Sequence, residues 1–115
     1  MKMDELPSWI YMLFKRGHGL TAFKSRFLYE FHKEMVEDNI ENDPKRREQL
    51  RLAALEAIKG KNNRLQVQGF SFLLVAGEPQ DQLAVEPFTR SSDEDVQKAA
   101  KTCLFELRQL AQRKG

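Results

Sequence analysis

The sequence has a single cysteine, Cys103, so no disulfide can form within the chain and packing alone must hold the fold. Cys103 itself lies in an apolar helical pattern beside Leu104 and near Ala99 and Ala100, where a small buried hydrophobe is expected rather than a reactive thiol. Glycine and proline are scarce, six and four residues, and most fall in the breaks between apolar stretches, where helix punctuation belongs. Gly69 and Pro87 are the exceptions. No apolar run is long enough to span a bilayer. The segment Met1-Lys2-Met3-Asp4-Glu5 and the short apolar stretch after it, broken by Lys15, Arg16 and Gly17, do not read as a signal peptide. Together with the lone thiol, this predicts a cytoplasmic chain with no membrane partner. Neither sign of charge dominates: 19 Lys and Arg stand against 17 Asp and Glu, which describes a mixed solvated surface and not a polyelectrolyte binder. The basic excess lies in the part of the chain up to Arg64.

What is present is helical periodicity. The length of 115 residues suits one domain. Leu6, Trp9, Ile10, Leu13 and Phe14 predict a short amphipathic helix over about 5–16, stopped by Gly17-His18-Gly19. Thr21 is the expected N-cap of a second helix, about 21–38, with Phe23, Phe27, Leu28, Phe31, Met35 and Val36 as its apolar face. Asp43-Pro44 starts a third, about 44–59, with Leu50, Leu52, Ala53, Leu55, Ala57 and Ile58 available for burial and Gly60 as a left-handed stop. Asn62-Asn63 caps a fourth, about 63–76, interrupted only by Gln66, Gln68 and Ser71, so that it should be buried on most sides. Its β-branched and Phe content also permits a strand over 70–76. Gly77-Glu78-Pro79 opens a fifth, about 79–90. A sixth, about 93–112, follows an acidic turn in which Ser92 and Asp95 have capping-box spacing.

The last two helices echo the two before them at a constant offset of about thirty residues. Leu65, Gly69 and Leu73 align with Val96, Ala100 and Leu104; Phe72 with Cys103, and Ala76 with Leu107. In the preceding helices Leu52 aligns with Leu83, Ala54 with Val85 and Ala57 with Phe88. On the segment Leu83-Ala84-Val85-Glu86-Pro87-Phe88, then Ser92-Asp93-Glu94-Asp95-Val96, then Ala99-Ala100 and Leu104 with Leu107, the chain resembles the HEAT-like repeat family over about residues 46–112. The family often has Arg just after the Val, where this sequence has Gln97 and, in the earlier repeat, Gln66. The resemblance implies a short all-α solenoid of about six helices in antiparallel pairs. Residues 44–76 and 79–112 are the two hairpins, and 1–40 an N-terminal helical cap or divergent pair whose aromatics cover Phe70 and Leu74. It also implies a scaffold that binds, with no shared catalytic residues.

The side chains that could carry chemistry are few. His18 stands between two glycines, a setting open to an exposed base or ligand, but isolated turn histidines usually do neither. His32 has Leu28, Tyr29, Met35 and Val36 three and four residues away, none of them a metal ligand. There is no phosphate loop, no nucleophile with a base and no recognisable carboxylate pair, so no enzyme activity, cofactor or metal is expected. The best surface signal is basic: Lys45, Arg46, Arg47 and Arg51, then Lys59, Lys61 and Arg64 around Gly60, blunted by Glu48 and Glu56. Tyr11 falls off the Leu6–Ile10–Leu13 stripe. The expected partner contacts are therefore Tyr11, Arg47, Arg51, Lys61 and Arg64, serving an adaptor or inhibitor that holds a protein with an acidic surface. Nucleic-acid backbone binding by the same residues is the alternative, and the exposed ends of a short repeat array allow a homodimer.

Overall fold

The computed structural model describes residues 2–114, and among these the fold is all-α, with no strand. Its elements are α1 (Ser8–Lys15), α2 (Arg26–Ile40), α3 (Pro44–Lys59), α4 (Asn63–Ala76), a short α5 (Gln82–Val85) and α6 (Glu94–Lys114). Tighter 3-10 turns lie at Met3–Glu5, Pro79–Asp81 and Glu86–Arg90. The strand alternative for 70–76 does not occur, because those residues continue α4.

The starts of α3 and α4 follow from their caps. Asp43 accepts the amide of Arg46 at 3.0 Å, and Pro44 takes the first helical turn, where its missing N–H costs nothing. Asn62 accepts the amide of Leu65. Gly60 ends α3 in extended rather than left-handed backbone. The cap of α6 is Asp93, not Ser92: its carboxylate accepts the Val96 amide at 2.9 Å.

Two expected helices differ. The second begins at Ser25, whose hydroxyl accepts the Leu28 amide, four residues later than Thr21. The cause lies in the turn before it. Gly17 and Gly19 have positive φ, and Gly19 is pressed so flat on α4 that a Cβ there would collide with Ser71 Oγ. The chain must finish crossing α4, burying Ala22 on the way, before a helix can start. The helix that then forms buries His32, Val36 and Ile40 and turns Phe27 and Phe31 to solvent. The fifth helix is broken. Proline at position 87 lacks an N–H and its ring clashes with the carbonyl four residues earlier, so α5 stops at Val85 and the chain tightens to 3-10 geometry over Glu86–Arg90. Leu52 and Leu83, aligned in the repeat, are both exposed.

Helix α4 is the centre. It packs on α3, α6 and α2, and its residues from Gln66 to Leu73 are all buried. Phe72 meets Phe14 of α1 edge-on, with centroids 5.1 Å apart, and the His32 ring at 5.5 Å; Phe70 meets Phe88 at 5.6 Å. Of the N-terminal aromatics, Phe14 thus lies on Phe72 of α4, and Tyr29 lines a cleft together with Leu74. Because the N-terminal helices fold back on α4, the outline is nearly isotropic, 33 × 32 × 27 Å.

Each polar residue of α4 has a use. Gln68 Nε2 donates to the carbonyls of Phe14 and His18, at the end of α1, and Gln66 Nε2 to those of Ile58 and Gly60, at the end of α3. These carbonyls lie at or just beyond the helix ends, where backbone partners are fewest. Ser71 Oγ donates to the Gln68 carbonyl. Gly69 is where α3 comes closest: a Cβ there would lie 2.7 Å from Ile58 Cγ2 and 2.8 Å from the Ala54 carbonyl oxygen.

Alanine gains about 1 kcal/mol over glycine in helix preference. Overpacking against a backbone atom costs about 1–3 kcal/mol. Gly69→Ala is therefore expected to lower the free energy of urea unfolding by about 1 kcal/mol net. Gly60→Ala, whose Cβ would meet Ala57 O at an ordinary 3.6 Å, is the control and should be neutral or slightly stabilising. A Gly69→Ala chain as stable as the wild type would show that α3 and α4 are not held this close.

Candidate functional site

Two residues of the basic cluster on α3, Arg46 and Arg51, are turned into the structure. Arg51 is only 13% exposed and grips Asp81 with two hydrogen bonds, Nε to Oδ2 at 2.8 Å and Nη2 to Oδ1 at 2.6 Å, while Nη1 donates to Glu48. These bonds, those to Asp81 first, hold its pKa above the ordinary arginine value. Asp81 Oδ2 also accepts the Glu78 amide, so the pair fixes the turn into α5. Arg51, expected at a partner surface, is thus committed inside the molecule. Arg46 stacks on Trp9, 4.6 Å from the ring centroid, and donates to the Asn39 carbonyl, tying α1 and α2 to α3. Arg47 reaches the Gly77 carbonyl at 3.5 Å and the Glu78 carboxylate at 3.8 Å but stays half-exposed. Lys61 is exposed in the α3–α4 turn. Tyr11 is half-buried on α1, with Lys15 Nζ 5.8 Å from its ring centroid.

Arg64 and Arg47 do belong to one feature, which the sequence did not reveal. A chain of three clefts runs between the 20–33 segment and α6, with α4 residues lining the first and the third. The first, about 380 Å³, holds Leu20, Phe23 and Val67 as apolar lining, with Lys24, Arg64, Lys98, Asp93 and Asp95 around them. The second, about 260 Å³, shares Phe23 and Lys24 with it and continues past Arg26, Tyr29, Thr102 and Glu106. The third, about 310 Å³, shares Arg26, Tyr29 and Glu106 and ends among Leu74, Lys33, Arg47 and Arg113. Together they form a groove whose first cleft has an apolar lining and whose walls carry more cations than carboxylates. Neither Tyr11 nor Lys61 lines it.

The electrostatics favour an anionic occupant at the first cleft. Lys24, Arg64 and Lys98 belong to none of the ion pairs among the described residues. Asp93, which accepts from the Val96 amide and from Asn63 Nδ2 at 3.0 Å, and the exposed Asp95 offset two of these three cations. The amino ends of α4 and α6 both open here, adding their positive dipole ends. Farther along, Tyr29 stays a neutral phenol: burial first, then the Glu106 and Glu30 carboxylates, raise its pKa, against Arg26. The Arg26 guanidinium lies 5.7 Å from the Tyr29 ring centroid.

The two histidines share a small cavity of about 100 Å³ beside the 17–22 turn, lined by no carboxylate. His32 Nε2 donates to the Ser71 carbonyl at 2.9 Å, which leaves Nδ1 as the unprotonated nitrogen, buried and without a hydrogen-bond partner among the described residues. A proton there would be a buried charge with nothing to receive it. Burial accordingly lowers the His32 pKa, the Ser71 bond opposes this, and His18 adds to it. His18 is also lowered, by burial and then by Arg16. Cys103 is fully buried, and burial, then the Asp81 and Glu106 charges, push its thiol up, so it is not a nucleophile at neutral pH. Among the described residues no helix is long and apolar enough to cross a membrane.

No family model, curated protein or solved structure matches this chain.

The His32 pKa shift fixes a sign. Above the unfolded value of 6.5 both states are neutral at His32 and stability is full. As pH falls below 6.5, the unfolded chain takes up a proton that the folded chain refuses, and stability is lost until the lower folded pKa is reached. One such group contributes a slope of at most about 1.4 kcal/mol per pH unit. Urea unfolding between neutral and mildly acidic pH should show this loss, and His32→Gln should flatten most of it. An unchanged slope in His32→Gln would assign the acid sensitivity elsewhere.

Proposed function

We propose that this protein is a non-catalytic, protein-binding adaptor or inhibitor. In this reading the groove between α2 and α6 receives an acidic, partly apolar segment of its partner. The observation that carries the reading is the first cleft, where three cations that join no ion pair among the described residues outnumber Asp93 and Asp95 around an apolar lining at the amino ends of two helices. Such a site suits carboxylates set beside one or two apolar anchors, and the length of the groove suits an extended or helical segment. A cytoplasmic setting fits the buried free thiol.

The scaffold in this reading is a pair of HEAT-like hairpins, α3 with α4 and the α5 region with α6. Three contacts support it. Arg51 with Asp81, Asn63 with Asp93, and Arg47 with Gly77 are each separated by 30 residues, close to the offset of the sequence repeat. Each therefore joins a position in one hairpin to the neighbour of its equivalent in the next, as stacked repeats do. Arg51 and Asp81 supply a rung between repeats that the family's usual Arg position, here Gln97, does not.

A peptide library selected on the chain should yield acidic sequences with apolar anchors. Charge reversal at Arg64 and Lys98 together should weaken the best of them by at least about tenfold, the scale of losing two close charge pairs. Reversal at Lys61, exposed but outside the groove, should change little. Peptides that bind equally well to the groove variant would refute the groove. Duplex DNA or RNA binding with a steep salt dependence, lost in the same variant, would replace the protein partner with a phosphate backbone.

A further inference from the structure

Two helices present exposed aromatic faces of opposite charge. On α2, Phe27 and Phe31 are 76% and 60% exposed, an unusual state for two rings one helical turn apart. Glu34 and Asp38 continue their line at the spacing of a helix–helix seam, and Glu37 and Glu41 flank it; all four are exposed. None of these four joins an ion pair among the described residues. Glu30, exposed on the same side, is paired with Arg26 at 3.1 Å. The face is turned away from His32, Val36 and Ile40, which are buried, and from Arg26, Tyr29 and Lys33, which line the groove. Whatever covers it must bring an apolar group and positive charge.

Helix α6 carries that combination. Phe105 is 58% exposed, and the exposed Lys101 and Arg108 stand one turn to either side of it, again at seam spacing. The three are turned away from the buried Val96, Cys103 and Leu107, and none of them lines the groove clefts. Neither Lys101 nor Arg108 joins an ion pair among the described residues. Glu94, the carboxylate on this line, is about 16 Å along the helix from Phe105. The two faces therefore answer each other, ring for ring and charge for charge. With the helices antiparallel and Phe105 set on Phe31, Lys101 meets Glu34 and Arg108 lies over the Phe27 ring, where a guanidinium is well placed to stack. The antiparallel helix dipoles add to the attraction. Within one chain the rings of both faces stay exposed, so the contact is made between copies.

We infer that copies of this chain associate head to tail, the α6 face of one covering the α2 face of the next. The contact is heterologous, joining two different surfaces, and it uses none of the cations of the groove. One helix crossing buries less than the roughly 1,200 Å² of a small stable interface, so the association should be weak, on the order of micromolar or above.

Sedimentation equilibrium on the full chain, across micromolar to submillimolar concentrations, tests it. The wild type should associate beyond the monomer. Phe31→Ser and Phe105→Ser should each weaken the association by more than about tenfold, since each removes the ring at the centre of the contact. Both rings are exposed, so thermal unfolding by circular dichroism should be little changed. Mixed in equal amounts, the two variants should pair one to one: Phe31→Ser keeps an intact α6 face and Phe105→Ser an intact α2 face. A contact of one face with itself cannot give that result, and neither can loss of folding. Glu34→Lys should also weaken the association, and adding Lys101→Glu in the same chain should restore it. A wild type that stays monomeric throughout would overturn the proposal, as would variants that associate like the wild type or a mixture that stays monomeric.

Discussion

The structure depends on one constraint: α4 has almost no face left for water. Its middle, from Gln66 to Leu73, is buried, and such a helix must be covered by other elements. Helices α1, α2, α3 and α6 do so. The glutamines in the middle of this apolar segment make the cover specific. Gln68 receives the end of α1 and Gln66 the end of α3, so two helix ends are fixed at points that apolar contact alone would leave free to slide. Gly69 brings α3 close, and Ser71 gives α2 its register through the His32 bond. A helix that is apolar by composition thus places its neighbours through its few polar atoms.

The sequence made the helices legible where local chemistry decides them. The Asp43-Pro44 start, the Asn62 cap, the buried Cys103 and the enclosed character of α4 are all local or periodic signals, and they match the structure. What escaped depends on distant partners. Hydrophobicity alone ranks Phe27 and Phe31 above His32 as core residues, yet His32 is the buried one, bonded to the Ser71 carbonyl 39 residues away. Likewise the α3 arginines read as a basic surface until Asp81, Trp9 and Asn39 are brought against them. Pro87 was visible, but whether it would kink a helix or divert the chain into 3-10 geometry depends on packing. The groove had no sequence signal, since its walls come from three separate segments.

Removing the inward-turned arginines from the surface sharpens the electrostatics. The net charge of +2 conceals a division of labour. Arg46 and Arg51 hold the fold, whereas Lys24, Arg64 and Lys98 line the first cleft. Helix α2 separates the two proposed contacts. One side lines the groove, another packs on α4, and the third presents the aromatic stripe. A single element with three committed sides explains why its sequence mixes aromatics and charges without a clean amphipathic pattern.

Native-state hydrogen exchange across α4 is the most direct test of this account. If α4 is the enclosed element that positions the rest, the amides from Val67 to Leu73 should exchange only through global unfolding. Their opening free energies should then equal the unfolding free energy measured in urea and fall with it as denaturant is added. Exchange of those amides through local opening, at free energies no higher than those of α2, would contradict it.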